Sequence, residues 1–523
     1  MIREFREGTA FFIRRELDSV ADTQASVFCL LPDEPRLRPA HLLRRYPTGH
    51  RGVPLQPDHF FRTFALFLAA NLFWIVYYRA MFPRPTIVRA VLSIFVVCFG
   101  ISPLHSQSPS DATPESSAVI LHAARLLNVE QGTVQSPGEV LVRDGRIAQV
   151  GASVPHSPGV TILDLGDTTL MPGLIDAHVH LFLHPGAEDM QTVVESVPER
   201  TIYAELAARA DLLAGFTAER DMGTEGAGSA DTAVRNAIDA GLIPGPHMRI
   251  SGNAISILGG HEDAIHFNPA EHISSNATYA NNTEELIAVI REQLKEGSSF
   301  VKIYETGADS LQNGQFRTPW QFSESQLAAA VREAARMGTT VGVHCTGEPG
   351  ALYAATAGVA SIDHAYQLSD ATMKLMREKQ IYAVPTFAIS EYFTDHAGSP
   401  TAAAAERAML DYHIQQFHQQ LAAGVPMAVG SDVGPFPHGT QAREFVLMVK
   451  YGMPPADVLR ADLLHGARLL GWQDRMGQLK PGFDADIIAV PGNPLQDIHA
   501  VTHVAFVMKD GAVIRNDLRA PAR

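Results

Sequence analysis

Two histidines separated by one residue interrupt an otherwise apolar stretch, MPGLIDAHVHLFLHP, in which they are His178 and His180. Side chains at positions i and i+2 of a strand point to the same face. Two imidazoles held side by side can bind a borderline divalent ion such as zinc if further ligands arrive from elsewhere in the fold. A single histidine is more often a hydrogen-bonded structural residue, so the hypothesis depends on those further ligands.

Other polar residues of suitable type lie in or at the ends of further short apolar segments. Lys302 lies in FVKIY, His344 in TVGVHC, His364 in SIDHA and Asp432 in PMAVGSD. Together with the first pair they make four histidines, one lysine and one aspartate on five predicted strands. This combination predicts a metal site, because imidazole and carboxylate groups are the usual ligands of such ions.

The elements that must position these residues alternate between strand and helix. Strands are predicted to end at His180 and in FTAERD, HMRIS, FVKIY, TVGVHC, SIDHA, YAVPT and PMAVGSD, and helix-like runs such as ERTIYAELAARADLLAG and ESQLAAAVREAARMG separate them. Eight such repeats predict an α/β fold, a (β/α)₈ TIM barrel over residues 173–473. Chemistry in such barrels lies at the C-terminal ends of the strands, where these polar residues fall.

Both flanks of this region read as short strands with turns at Asp144-Gly145 and Gly166-Asp167. Residues 118–172 and 474–518 are therefore predicted to form one small β-sandwich domain from two ends of the chain.

Composition excludes some functions. The 523 residues are 46% hydrophobic and carry a formal charge of −15, which argues against a nucleic-acid partner. Cys29, Cys98 and Cys345 have no metal-type spacing, and removal of a leader would leave only Cys345, with no internal disulfide.

The first hundred residues differ from the rest. Residues 81–106 have the proportions of a signal peptide, with a basic start, a short apolar run and a polar exit. Residues 1–80 stay unassigned: they are either an over-extended start or, through the apolar run 63–78, a membrane segment. We expect an exported protein, periplasmic or secreted; the alternative is anchoring by residues 63–101, which would be its contact with the membrane.

The motifs LMPGLIDAHVHL, VKIY, GVHCTG, SIDHA, VGSDVGPFPHGTQAREF and GQLKPGFDADIIAVPGNPL together resemble the amidohydrolase superfamily. More narrowly, they resemble its binuclear-metal branch of Xaa-Pro dipeptidase-like and carboxypeptidase-like enzymes and ochratoxin-hydrolysing amidases. The resemblance runs from about residue 118 to residue 517 and does not cover residues 1–80. One segment departs from the family pattern: ADLLHGARLLG stands where the family usually has a run of small residues that contains asparagine. The difference bears on the expected helix packing near His465 and not on the metal site.

The resemblance implies two divalent metal ions, expected to be zinc. His178 and His180 would bind the more buried ion, and His344 and His364 the more exposed one. Lys302 would be carboxylated on its amine by CO₂ (N6-carboxylysine) and bridge both ions. An unmodified ammonium group facing two dications would be strongly repelled, so the site needs this modification.

Further roles follow from the same resemblance. Asp432 would ligate the buried ion and act as the catalytic acid and base. His261, in GGHED, is either a catalytic stabiliser and substrate contact or a loop residue in solvent. Tyr304 is either a contact to the substrate's carboxylate or a packed aromatic, and strand alternation points it to the same side as Lys302.

The implied function is metal-dependent hydrolysis of the C-terminal amide bond of N-acyl amino acids or dipeptides, including ochratoxin A, which would yield ochratoxin α and phenylalanine. The alternative is a cyclic-amide hydrolase of the imidase or hydantoinase kind. Lys302 argues against a deaminase, since superfamily deaminases generally use one ion and lack the bridging lysine. The expected partner is a small-molecule substrate, and the enzyme is expected to be a homo-oligomer.

Overall fold

A computed structural model describes residues 118–263, 267–268 and 270–518. The predicted signal peptide at 81–106 and the apolar run at 63–78 lie outside these residues. Within the described ranges, no helix is both long enough and apolar enough to cross a membrane.

The first and last strands of the described chain form two outer sheets. Sheet one has the order β5-β4-β1-β6, and sheet two the order β21-β20-β19-β7-β2-β3. Their strands are β1 Val119–Ala123, β2 Arg125–Asn128, β3 Thr133–Gln135, β4 Gly138–Arg143, β5 Arg146–Gly151, β6 Thr161–Asp164, β7 Thr168–Pro172, β19 Ile487–Pro491, β20 Phe506–Lys509 and β21 Ala512–Asn516.

The predicted turn at Asp144-Gly145 joins β4 to β5. Both residues have positive φ, 53° and 75°, as a tight turn between antiparallel strands requires. Apolar side chains from both outer sheets, such as Leu121 and Val140 from one and Leu170 and Phe506 from the other, belong to one buried cluster. The C-terminal strands therefore complete a core begun by the N-terminal ones.

The strands that lie between these two groups in the sequence are mostly parallel. They form a three-stranded sheet with the order β10-β9-β8 and a six-stranded sheet with the order β12-β11-β13-β16-β17-β18. They are β8 Leu174–Val179, β9 Phe216–Asp221, β10 His247–Ile250, β11 Ile255–Ser256, β12 Thr278–Tyr279, β13 Val301–Tyr304, β16 Val341–Cys345, β17 Ser361–His364 and β18 Tyr382–Val384; β14 Ser310–Gln312 and β15 Gln315–Arg317 form a separate hairpin. Every residue of β8, β9, β13, β17 and β18 is buried. Strands covered on both faces have this character.

Helices follow the strands as predicted. They are α1 Glu188–Val194, α2 Val197–Ala214, α3 Ala230–Asp239, α4 Thr283–Glu296, α5 Glu324–Arg336, α6 Gly350–Ala357, α7 Asp370–Lys379, α8 Phe387–His396, α9 Pro400–Ala423, α10 Arg443–Lys450, α11 Pro455–Arg460 and α12 Ala467–Leu469, with a 3₁₀ turn at Ile498–Thr502. Helix α2 shows why the boundaries fall where they do. The Ser196 side chain accepts from the N–H of Glu199 at the start, and Gly215 ends the helix with a φ of 104°.

The eighth predicted strand, PMAVGSD, is not a regular strand. Met427 and Val433 make only isolated parallel bridges, to Ala383 of β18 and to Val179 of β8. The backbone still links the two sheets, because the N–H of Ala177 donates to Val429 O (2.9 Å) and the N–H of Ala428 donates to Ala383 O (2.9 Å). The two sheets are also linked on their other side, where the N–H of Ser299, just before β13, donates to the oxygen of Ile250 in β10 (2.8 Å).

The unusual segment near His465 forms a π-helix over Ala461–Gly466. His465 Nδ1 lies 2.7 Å from Met427 O, and buried Asp462 accepts from the N–H of Ile175 at 3.2 Å. This wider turn thus supports the starts of β8 and of the irregular segment, at the end of the strands away from the metal-type residues.

Candidate active site

The strand ends bring together every residue predicted for the site. They line a cavity of ≈ 190 Å³ whose walls include His178, His180, His261, Lys302, Tyr304, His344, His364 and Asp432. Six different strand or post-strand segments supply these side chains, as the barrel prediction requires.

Three of these residues form a close triangle. The Nε2 atoms of His178 and His180 are 3.3 Å apart, and each lies 3.3 Å from Asp432 Oδ1. Burial opposes a charge on His180, but Asp432 and Glu225 raise its pKa well above its ordinary value. The two carboxylates therefore favour a cation at this point, either a proton or a metal ion.

Lys302 lies beside the triangle and is fully buried. Its Nζ has no hydrogen-bond partner among the described residues and lies 5.2 Å from the centre of the Tyr304 ring. Burial lowers the pKa of the amine, although Asp363, Asp432 and Glu225 act in the opposite direction. A buried lysine without a partner is costly as a cation, and a neutral amine is the form that can react with CO₂.

His344 and His364 form a second pair that lines the same cavity. Their ring centres are 4.4 Å apart, and that of His364 is 5.1 Å from that of His178. Burial lowers the pKa of both histidines well below the ordinary value. Neutral imidazole is the form that binds metal ions, and the Nε2 of His344 is buried without a partner among the described residues.

A network of charged side chains contacts the Nδ1 atom of His178. Its Nδ1 lies 3.1 Å from Asp363 Oδ2, and the guanidinium of Arg220 donates to both oxygens of Asp363, at 3.1 and 3.3 Å. Arg220 also donates to Ala177 O and to the Ser361 hydroxyl. The network thus joins β8, β9 and β17 directly beneath the histidine pair.

Different residues orient the other histidines. His180 Nδ1 lies 3.0 Å from Gly223 O and 3.1 Å from Glu225 Oε1, and the Tyr304 hydroxyl donates to the same Glu225 oxygen at 2.7 Å. His364 Nδ1 lies 2.8 Å from the Thr386 hydroxyl. The Nδ1 atom of each ring is therefore held in place, and His180 Nε2 faces Asp432; outer partners of metal-binding histidines act in this way.

His261 belongs to the cavity rather than to solvent. Its ring stacks on His344 with centres 4.2 Å apart, and Tyr304 packs edge-on against it at 4.7 Å. Burial lowers the pKa of His261 to about 4, so the ring is a neutral donor and acceptor at neutral pH. Tyr304 is both a cavity residue and the hydrogen-bond partner of Glu225.

Sequence reasoning missed the residues that orient the ligands. Asp363 directly precedes His364, so strand alternation would send it to the other face. Asp363 nevertheless approaches His178. His364, the last residue of β17, has a φ of 70°, so its side chain no longer follows the alternation and lines the cavity. Asp176, two residues before His178, was detectable by alternation: it accepts from the Ser431 hydroxyl at 2.6 Å, one layer below the histidines.

The donor set suits a pair of divalent ions. Four neutral or neutralisable imidazoles, an aspartate and a buried lysine converge on one cavity, and nitrogen and oxygen donors of this kind suit zinc and its neighbours. The site can therefore do what metal-assisted hydrolases do, provided that Lys302 does not remain a cation.

Comparison with known proteins decides the family. The amidohydrolase family model matches residues 169–514. The chain belongs to the amidohydrolase family. Ochratoxinase of Aspergillus niger is 29% identical over 430 residues, which cover 75% of this chain and 86% of that one.

Solved structures agree with this assignment. A Xaa-Pro dipeptidase with methionine bound in its active site is 29% identical, with a TM-score of 0.69 and coverage of 76% of this chain and 100% of that one. A prolidase complexed with N-methylphosphonate-L-proline is 26% identical, with the same TM-score and coverage. This amidohydrolase therefore belongs to a superfamily that has the TIM-barrel fold, and it hydrolyses amide bonds.

Proposed function

We propose that this amidohydrolase uses two divalent metal ions to cleave the C-terminal amide bond of N-acyl amino acids or dipeptides, including ochratoxin A. The observation that supports this most is the meeting of the His178–His180–Asp432 triangle with buried Lys302 in one cavity. The relatives that bear the names ochratoxinase, Xaa-Pro dipeptidase and prolidase support an acyclic substrate.

The residues present fit the metal pair. His178, His180 and Asp432 would hold one ion and His344 and His364 the other, with Lys302 between them as a carbamate. Carbamate formation joins the neutral Lys302 amine to CO₂ and releases one proton, and it turns a partnerless buried amine into an anion. When bound, the two ions would supply Lewis-acid polarisation of the scissile carbonyl and an acidified water.

Asp432 is the proposed proton carrier. Burial alone would raise the pKa of its carboxyl group, but His178, His180 and His364 hold that pKa well below its usual range. Its side chain is 16% exposed and faces the cavity. Asp432 is therefore an ionised carboxylate in the cavity, the form that would accept a proton from the attacking water and deliver it to the leaving amine.

His261 and Tyr304 are the proposed contacts for the substrate's carboxylate; Tyr304 would serve when its hydroxyl turns away from Glu225 Oε1, to which it donates at 2.7 Å in this structure. A neutral His261 ring can donate one hydrogen bond, and Tyr304 supports that ring edge-on. The apolar side chains of Leu183, Ile389 and Phe393 line the same cavity and suit a hydrophobic residue next to the scissile bond.

The finer architecture is also part of this proposal. The parallel strands, with the segment around Met427–Val433, would close as a (β/α)₈ barrel, and the two outer sheets would form a β-sandwich. We propose further that the protein is exported after cleavage within residues 81–106. N-terminal sequencing of the mature protein tests the export proposal.

The test combines metal content with product release from one preparation of the full-length protein. At least two ions per chain, with amino acid released from N-acetyl amino acids, Xaa-Pro dipeptides or ochratoxin A, would support the proposal. The matched variants are His180→Asn, which should lose activity, and His499→Gln, an exposed histidine that should not matter. Turnover of dihydrouracil alone, or full activity in His180→Asn, would contradict it.

A further inference from the structure

A second group of metal-type side chains lies away from the cavity. It consists of His247, the first residue of β10, with Asp486, just before β19, and Asp510, in the turn between β20 and β21. His247 Nε2 is 3.2 Å from Asp486 Oδ2 and 3.5 Å from Asp510 Oδ1. Because β10 is parallel to its neighbour β9 and the cavity lies at the C-terminal strand ends, His247 occupies the opposite end.

The spacing of these donors matches that of metal ligands. Ligand bonds of about 2.0–2.1 Å in a tetrahedron place ligand atoms about 3.3 Å apart. The His178–His180–Asp432 triangle has edges of 3.3 Å. Two edges of the second group, 3.2 and 3.5 Å, are close to the same value.

The buried members of the group are not satisfied by hydrogen bonds. His247 Nε2 and Asp486 Oδ2 have no hydrogen-bond partner among the described residues, although they lie within ion-pair distance of each other. The Asp486 side chain is 3% exposed, and its other oxygen accepts from the N–H of Asp510 at 2.8 Å. The free oxygen is thus fixed in place and faces the imidazole nitrogen.

The surroundings leave one side of the group open. The Asp510 side chain is 53% exposed, and its second oxygen lies 3.1 Å from the Lys509 ammonium group. The Trp472 ring packs edge-on against His247 at 6.3 Å. Three protein donors with an accessible fourth direction match a divalent site that retains a water molecule.

We propose that His247, Asp486 and Asp510 bind a third divalent ion of the zinc class, separate from the catalytic pair. One neutral imidazole and two carboxylates together carry two negative charges, which neutralise a dication. The ion would join β10 to the C-terminal strands, so its role is to stabilise this junction rather than to take part in hydrolysis.

A proton is the competing occupant of the same position. Burial lowers the pKa of His247, but Asp486 and Asp510 outweigh it and raise the pKa to about 9. The same behaviour occurs at His180, where carboxylates also favour a cation. The metal content of the purified protein distinguishes the two occupants, because a bound zinc ion raises the number of metal ions per chain and a bound proton does not.

The experiment compares zinc content in full-length proteins equilibrated at the same micromolar free zinc. Wild type should hold one more zinc ion per chain than His247→Gln and Asp510→Asn, and both variants should keep wild-type hydrolysis rates. His499→Gln is the matched control, since His499 faces a single carboxylate, Asp497 at 3.0 Å, on the surface. It should keep the full zinc content.

Asp510→Asn decides the result if the buried His247 variant fails to fold, because Asp510 lies in an exposed turn. Equal zinc content in wild type and Asp510→Asn would overturn the proposal and identify His247 as a protonated partner of the two aspartates. The comparison counts a difference between variants, so it stays valid whatever number of ions the catalytic cavity holds.

Discussion

Asp363 offers the sharpest test of how this site is held together. It is fully buried between His178 Nδ1, at 3.1 Å, and the guanidinium of Arg220, at 3.1 Å. Burial alone would raise its pKa, but Arg220 and His178 hold that pKa well below its usual range, so the group is a carboxylate at neutral pH. The conservative change Asp363→Asn removes this charge and keeps the volume.

Two losses should follow from this change. The Arg220 side chain is only 3% exposed and would be left as a buried cation without its counter-charge, which costs about 3–5 kcal/mol of unfolding free energy. His178 would also lose the carboxylate 3.1 Å from its Nδ1, an electrostatic contact rather than an aligned hydrogen bond. Loss of such an outer partner lowers metal affinity about 10–100-fold.

Urea unfolding of the chelated protein measures the first loss, and zinc titration against a chromophoric competitor measures the second. The double variant Asp363→Asn/Arg220→Met should recover part of the stability, because it removes the stranded charge as well. Glu378→Gln, which breaks an exposed pair with Lys374, should change stability by less than about 0.5 kcal/mol. An Asp363→Asn protein within about 1 kcal/mol of wild type, with unchanged zinc affinity, would refute the reasoning.

Three other substitutions address separate contacts. Glu225→Gln weakens the support of His180 and should lower zinc affinity about 10–100-fold in the same titration; an unchanged affinity contradicts the orienting role. Asp432→Asn removes the proposed proton carrier, so kcat for phenylalanine release should fall by about 10²–10⁴-fold, and a kcat within about tenfold of wild type argues for another carrier. Asp211→Asn disrupts the 2.7 Å contact with His438 and should lower the unfolding free energy by about 1–3 kcal/mol with kcat retained, whereas a loss of kcat without destabilisation would place His438 in the reaction.

The ligands could be predicted from sequence because each follows a local rule. Strand alternation places His178 and His180 on one face, and burial of VKIY puts Lys302 and Tyr304 together. The parallel arrangement then brings separate strand ends to one edge. These inferences need only the residue types and a period of two.

The residues that orient the ligands could not be predicted in this way. Glu225 lies in the loop after β9, where its backbone has a φ of 48°, and its side chain contacts His180 at 3.1 Å. The irregular backbone of the eighth segment, PMAVGSD, also depends on a contact with a distant part of the chain. A Cβ at Gly430 would lie 3.0 Å from the backbone nitrogen of His178, so the chain approaches β8 more closely there than a side chain would allow. Such features depend on tertiary approach rather than on local pattern.

Several non-glycine residues around the cavity have left-handed backbone conformations, which cost free energy. Glu225, His364, Thr386 and Asp432 all have φ values between 48° and 70°, although none is glycine. Such conformations cost of order 1–3 kcal/mol each and persist only where surrounding contacts enforce them. Here the contacts are those of the site itself: the N–H of Asp432 donates to His178 O at 2.8 Å, and Thr386 bonds His364. Each strand end thus holds a ligand of its neighbour, so a metal pair that binds these ligands would also offset the cost of the backbone that presents them. Chelation should therefore speed amide hydrogen exchange at these strand ends before it does so in the outer sheets.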